Sequence, residues 1–184
     1  MKKKIVAIVG SLRRNSFNRQ LALEVQKQIG GRAEFEILEY ADVPLFNEDI
    51  EFPAPESVRR IRETVKTADG VWIFTPEYNY SYPGVLKNVL DWLSRPLGPE
   101  EPQVLAGKAA VISGAAYGMA GTVTAQEHLI PMLVFLRLRL MNVPRLTVGS
   151  IGEQLDQNGM IRLSETSGQY LRAQVDAFLD FLEA

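Results

Sequence analysis

KIVAIVGSLRRNSFN, from Lys4 to Asn18, decides the fold. Its first part, Lys4–Val9, is a short, continuous, β-branched apolar run, the pattern of a strand buried on both faces. Gly10 ends the run, and a loop rich in Ser, Arg and Asn follows. A helical period then takes over at Arg19–Ile29, where Leu21, Ala22, Val25 and Ile29 share one face and Gly30-Gly31 closes the helix. Strand, polar loop and helix in that order open a βαβ unit.

Outward from this unit the alternation repeats. Ala33–Leu38 alternates and reads as a second strand, and Tyr40–Pro55, rich in Pro, Asp and Asn, reads as a long structured loop. Glu56–Ala68 puts Val58, Ile61, Val65 and Ala68 on one helix face, and Val71–Thr75 is a third buried strand. Pro83–Ser94 reads as a helix with proline near its first turn, where a missing N–H costs nothing. Lys108–Ser113 is a fourth strand, and Thr122–Asn142 reads as one long apolar helix bent at Pro131. A fifth strand at Arg145–Val148 and an amphipathic helix at Ser164–Ala184 complete the chain. The proline-rich stretch Leu97–Leu105 is the one candidate excursion, too short for a domain boundary.

Five strands alternating with helices predict an α/β domain built on a parallel sheet. Right-handed crossovers and this length suit a flavodoxin-like three-layer sandwich with strand order 2-1-3-4-5, spanning residues 1–184 as a single domain. In such sheets ligands sit beyond the carboxyl ends of the strands, where the order reverses between strands one and three. Unusual residues are therefore expected just after Val9 and just after Thr75.

Composition removes several classes of function. The 184 residues contain no cysteine, which excludes a disulfide framework, a cysteine nucleophile, a thiolate zinc site and a cysteine-ligated iron–sulfur cluster. Twenty Lys and Arg against 22 Asp and Glu leave a formal charge of −2, so no overall field steers the protein to nucleic acid or to anionic lipid. The basic start at Lys2-Lys3-Lys4 precedes an apolar run too short for a signal peptide, and Met132–Leu136 is far below spanning length. The expected compartment is the cytoplasm, with neither membrane nor nucleic-acid partners.

The loop Gly10–Asn18 offers hydroxyls from Ser11 and Ser16, guanidinium groups from Arg13 and Arg14, amides, and the first N–H groups of a helix. That is an anion-binding set. It is neither G-x-G-x-x-G nor a P-loop, which favours a terminal phosphomonoester over a pyrophosphate or a nucleoside triphosphate. The plainer alternative is that Ser16 only caps the helix while the arginines are solvated. The second loop, Thr75–Gly84, carries Tyr78, Tyr80 and Tyr82 between Pro76 and Pro83. Prolines fix φ and hold the preceding residues extended, giving a stiff aromatic wall suited to a flat heteroaromatic ring. The plainer reading, which these residues alone favour slightly, is a tyrosine-rich turn packed on its own helix or on a partner subunit.

Together the two loops resemble the NADPH-dependent FMN reductase family, which includes bacterial quinone, chromate and azo-dye reductases. The matching residues are Gly10-Ser11-Leu12-Arg13-x-x-Ser16-x-Asn18 and Thr75-Pro76-Glu77-Tyr78-Asn79-x-Ser81-x-Pro83-Gly84-x-Leu86-Lys87-Asn88-x-x-Asp91-Trp92. The resemblance implies that Ser11, Arg13, Ser16, Phe17 and Asn18 hold the FMN phosphate, partly through backbone N–H groups. It implies that Pro76, Glu77, Tyr78 and Asn79 line the isoalloxazine and ribityl chain. Gly114, Ala115 and Gly118, in the loop after strand four, would close the other side. Family members often carry Ser or Thr near position 115, whereas Ala115 and Ala116 offer only backbone groups.

The implied activity is FMN-dependent, ping-pong hydride transfer from NADPH or NADH to a small-molecule acceptor such as a quinone, a flavin or an azo dye. The cofactor carries the chemistry, so no catalytic acid–base pair and no metal are required. The competing reading is a flavodoxin-type FMN electron carrier without its own nicotinamide reaction, against which the weak net charge argues. Arg14 or Arg95 could meet the 2′-phosphate of NADPH. His128, the only histidine, reads as packed or interfacial rather than catalytic, and Lys87, Asn88 and Asp91 read as structural polar residues. An apolar surface around the whole of Thr122–Asn142 points to a subunit interface, in keeping with the homodimers or homotetramers usual in that family.

Overall fold

A computed structural model describes residues 2–96 and 101–184. Its elements run β1 (Lys4–Val9), α1 (Phe17–Ile29), β2 (Glu34–Ile37), α2 (Glu56–Lys66), β3 (Gly70–Phe74), α3 (Gly84–Leu93), β4 (Ala109–Ala115), α4 (Val123–Phe135), β5 (Arg139–Val148) and α5 (Glu165–Glu183). All strand pairs are parallel and the order is β2-β1-β3-β4-β5, as the alternation predicts. Residues 97–100 of the expected proline-rich excursion lie outside the described residues.

The pleat of the central strands divides the core in two. Val6 and Ile8 of β1 and Val71 and Ile73 of β3 face a cluster closed by α2, α3 and α4, with Trp92 fully buried in it. Ile5, Ala7, Trp72 and Phe74 point the other way, into a cluster closed by α1 and α5. Burial on both faces is why β1 and β3 read as continuous apolar runs. One polar thread crosses the second cluster: Trp72 Nε1 donates to Ser113 Oγ (2.8 Å), and Ser113 Oγ donates to Gln174 Oε1. Gln174 Nε2 donates in turn to the Ile112 and Pro144 carbonyls, so α5 is bonded to β4 and β5 through a buried, fully paired network.

The long Tyr40–Pro55 loop is held against α3. Asn88 Oδ1 accepts from the Phe46 N–H (2.7 Å), while Asn88 Nδ2 and Trp92 Nε1 both donate to the Pro44 carbonyl. Asn88 thus has the structural role expected of it, and Lys87 and Asp91 form an i,i+4 ion pair on the same helix.

The expectation of one helix over Thr122–Asn142 is corrected. The helix ends at Phe135, Arg137 adopts φ +61°, and the chain enters β5 at Arg139. The Arg137 N–H donates to the Val134 carbonyl and the Leu138 N–H to the Leu133 carbonyl, the pattern of a left-handed helix end made without glycine. Leu138, Leu140 and Met141 are therefore not residues of the helix, while Val123–Phe135 keeps apolar residues on both its buried and its exposed sides. Beyond Met141 the register of β5 shifts, so the edge strand is irregular around Pro144. His128 is not packed in an apolar core: it is exposed, with Nδ1 3.4 Å from Ser81 Oγ.

Candidate functional site

The carboxyl ends of β1, β3 and β4 lie side by side, with Val9 opposite Phe74 and Phe74 opposite Ser113. The three loops that follow them enclose a cleft of about 710 Å³ at the switch point.

The first loop starts with a close approach. The Gly10 N–H donates to the Phe74 carbonyl (2.7 Å), and a Cβ at Gly10 would stand 3.2–3.3 Å from Leu86, Phe74 and Pro76. The Ser16 N–H then donates to the Arg13 carbonyl (3.1 Å), and Ser16 Oγ accepts from the Arg19 N–H (3.2 Å) as the N-cap of α1. The N–H groups of Phe17 and Asn18, first in the helix, have no intrahelical acceptor and stand at its positive end. The Arg13 guanidinium lies 4.7 Å over the Phe17 ring, which meets Tyr117 edge-to-face at 5.2 Å. Ser11, Arg13, Ser16, Phe17 and Asn18 all line the cleft.

Asn18 differs from expectation in one respect. Its side-chain amide is not directed to a ligand: Nδ2 donates to the Ala115 carbonyl and Oδ1 accepts from the Ala115 N–H, both at 3.0 Å. Only its backbone N–H is left for an anion. The Ala115 N–H and carbonyl are in turn both engaged by Asn18.

In the second loop the Tyr78 N–H donates to the Ser81 carbonyl (2.9 Å) and the Ser81 N–H to the Tyr78 carbonyl (3.0 Å). Between them Asn79 and Tyr80 take φ of +52° and +60°, a two-residue turn with both central residues left-handed. Asn tolerates this region; Tyr does not do so readily, so Tyr80 is locally strained at the cleft's edge. The Glu77 carboxylate accepts from the Ala125 N–H (2.9 Å), in the first turn of α4, where Thr122 makes no capping bond. Glu77 therefore lines the cleft while its charge caps a helix from another loop.

The third loop is pinned at the backbone. The Gly118 carbonyl accepts from both Gly121 and Ser150, and a Cβ on Gly149 would fall 2.1 Å from the Met119 carbonyl oxygen. Gly118 lines the cleft, but Gly114 does not. It lies inside β4, where a Cβ would meet the Thr75 carbonyl oxygen and Thr122 Oγ1 at 2.2 Å, so its role is close packing. Met119, Ala120 and Gly121 also line the cleft and were not foreseen; they continue the chain directly from Gly118.

One end of the cleft thus gathers hydroxyls, a guanidinium and free helix N–H groups, the donor set of a phosphate site. The other end is walled by Pro76, Tyr78, Ala115 and Tyr117, room for a flat ring. FMN combines those two chemistries, and the residues present fit it. Fold and cleft together define an FMN-binding protein of the flavodoxin-like class.

Comparison with known proteins is consistent with that class. The NADPH-dependent FMN reductase model matches residues 3–153. A 2-hydroxy-1,4-benzoquinone reductase from a Burkholderia species is 40 % identical over 178 residues, covering 97 % of this chain and 95 % of the relative. A quinone reductase of Escherichia coli K12 is 39 % identical, covering 99 % and 96 %. Among solved structures, FerB, a flavoenzyme NAD(P)H:(acceptor) oxidoreductase from Paracoccus denitrificans, superposes with a TM-score of 0.88 at 36 % identity, covering 98 % of this chain and 97 % of its own. The chain belongs to the NADPH-dependent FMN reductase family. It is an oxidoreductase that uses FMN with NAD(P)H as electron donor.

Proposed function

We propose that this enzyme reduces small planar acceptors of the quinone class at the cleft between the three loops. The observation that carries the reading is the rim. Tyr78, Tyr80, Tyr117 and Met119 are 52–90 % exposed around an apolar slot that already ends in an anion site. Exposed aromatic faces beside an open slot suit stacking of a flat, weakly polar acceptor. The names of the relatives, quinone reductases at about 40 % identity, support the same class.

In this reading the Phe17 and Asn18 N–H groups, the Ser11 and Ser16 hydroxyls and the Arg13 guanidinium hold the FMN phosphate. Pro76, Glu77, Tyr78 and Asn79 form one wall for the ring and ribityl chain, and Ala115 and Gly118 form the other. FMN, when bound, supplies the hydride chemistry between NAD(P)H and acceptor. The chain's own part is to fix the ring's position: Asn18 bonds the phosphate end to the Ala115 wall, Glu77 bonds the other wall to the first turn of α4, and the rim tyrosines order the visiting molecule. One domain spanning 1–184, working in the cytoplasm, serves this role. No helix among the described residues is long and apolar enough to cross a membrane.

The protein works as a homodimer or homotetramer in this reading. Support comes from Phe135 and Val134 on α4, which are 82 % and 58 % exposed, and from Val143 on the edge strand at 76 %. Sedimentation of the purified protein, with Phe135→Glu as the disrupting variant, tests the assembly.

The activity is tested by anaerobic addition of NADPH to the flavin-loaded protein. Loss of the visible flavin absorbance, and its return on adding benzoquinone, is the expected result. Flavin that NADPH leaves oxidised would instead mark an electron carrier.

A further inference from the structure

The phosphate loop has a second side. Between it and the carboxyl end of β2 lies a groove of about 170 Å³, bounded by Arg14, Arg19, Glu39 and Tyr40. It shares Ser11 and Arg13 with the main cleft, so the two are neighbours across one loop.

The groove's charge is lopsided, with three guanidinium groups around one carboxylate. Glu39 is paired with Arg19, and Arg13 lies over Phe17. The Tyr40 hydroxyl donates to the Val9 carbonyl. Arg14 is exposed and, among the described residues, makes no ion pair and no side-chain hydrogen bond. Arg95, Arg60 and Arg145 are each committed to a carboxylate. Arg95, the alternative from sequence, donates through Nε and Nη2 to the two carboxylate oxygens of the buried Glu51 at 2.9 and 3.0 Å, and it lines neither the cleft nor the groove. Arg60 is paired with Asp42, and Arg145 with Glu127.

We infer that this groove receives the 2′-phosphate of NADPH, with Arg14 as its principal ligand, and that it makes the enzyme select NADPH over NADH. The inference rests on the reading that a nicotinamide dinucleotide reduces the protein. Three arguments carry it. The groove is smaller than the ~300 Å³ lower bound of pockets that bury a drug-sized molecule, so it takes a single small group and not a second ring system. A guanidinium free of carboxylates is the natural partner of such a group when it is a phosphate. The third is the state of Glu39. An unpaired carboxylate at the groove would repel a phosphate, whereas one already paired with a guanidinium opposes it far less. Glu39 stands two residues beyond β2, but Arg19 neutralises it and leaves Arg14 to face the incoming anion.

The test uses the flavin-loaded enzyme. The ratio of kcat/KM for NADPH to that for NADH, at fixed benzoquinone, is measured for the wild type, Arg14→Ala, Arg14→Lys and Glu39→Gln. The expected result is a ratio above ten in the wild type that falls at least tenfold in Arg14→Ala, mainly through KM. Arg14→Lys should recover part of it, and Glu39→Gln should raise it. Calorimetric titration with adenosine 2′-monophosphate and adenosine 5′-monophosphate gives a readout independent of turnover. The 2′ isomer should bind more tightly, and the preference should vanish in Arg14→Ala. An unchanged ratio in Arg14→Ala, or equal affinity for the two monophosphates, overturns the inference. So does loss of bound FMN in Arg14→Ala, which would assign Arg14 to the cofactor phosphate. Failure of either dinucleotide to reduce the flavin would sink the underlying activity, while the monophosphate titration would still decide the groove.

Discussion

Asn18 and Ala115 are bonded to each other twice, amide to backbone, across 97 residues of sequence. The pair welds the first turn of α1 to the carboxyl end of β4, so the anion site and the opposite wall of the cleft share one anchor. Asn18→Ala leaves a buried N–H and a buried carbonyl of Ala115 without partners, at roughly 1–3 kcal/mol each. Urea denaturation should show a stability loss of about 3 kcal/mol. Asn18→Asp keeps the acceptor but sets a carboxylate against the Ala115 carbonyl, so it should be no milder. A loss under about 0.5 kcal/mol in both variants would remove the anchor role.

Arg13→Ala combined with Ser16→Ala strips the phosphate end of its guanidinium, a hydroxyl and the helix cap. FMN affinity, followed by the quenching of flavin fluorescence, should fall more than tenfold, equivalent to about 1.4 kcal/mol. The cap alone contributes about 1 kcal/mol to the fold, so affinity must be compared with both proteins fully folded. Equal affinity in the double variant and the wild type would refute the phosphate assignment.

Tyr80 tests whether strain at the rim serves the reaction. Its φ of +60° costs a non-glycine residue about 1–2 kcal/mol, which glycine avoids. Tyr80→Gly should therefore leave the melting temperature unchanged or higher, despite removing a large side chain, because that side chain is 76 % exposed. The KM for benzoquinone should rise. A fall in melting temperature with no change in KM would mean that the tyrosine supports the fold and not the acceptor.

Tyr40 gives the protein a pH dependence at the alkaline end. Burial holds its phenol well above the ordinary tyrosine range, where it donates to the Val9 carbonyl. In the unfolded chain the phenol loses its proton near pH ~10. Above that pH the folded state binds one more proton than the unfolded state, so the Tyr40 contribution to stability, complete below pH ~10, declines as pH rises. The slope approaches about 1.4 kcal/mol per pH unit for this one group. Tyr40→Phe should be less stable at pH 7 by about 1 kcal/mol and should show a shallower alkaline decline. Parallel curves for the two proteins would show that the phenol is not protected.

Much of this was legible in sequence because β1 and β3 are buried on both faces and end in polar loops that no core could absorb. Val9 followed by Gly10, and Phe74 followed by Thr75-Pro76, mark the switch point without reference to tertiary structure. The boundary between α4 and β5 was not legible. Leu136 to Met141 is apolar enough to serve helix or strand, and the turn falls on Arg137, a residue with no special preference for a left-handed conformation. The duties of Asn18, Glu77 and Gly114 were also hidden. Each has a partner 39 or more positions away: Ala115 for Asn18, Ala125 for Glu77, and Thr75 for Gly114. Sequence showed that such residues belong to the site region, but only the folded chain distinguishes a side chain that meets a ligand from one that holds the wall.

The two tryptophans sit on opposite faces of the sheet, Trp72 in the cluster under α1 and α5 and Trp92 in the cluster under α2, α3 and α4. Each half of the interior therefore carries its own fluorophore, and both are fully shielded from solvent. Trp72→Phe reports on one half and Trp92→Phe on the other. Coincident denaturation curves would mean that the halves melt as one cooperative unit; separated midpoints would identify the half that lets go first.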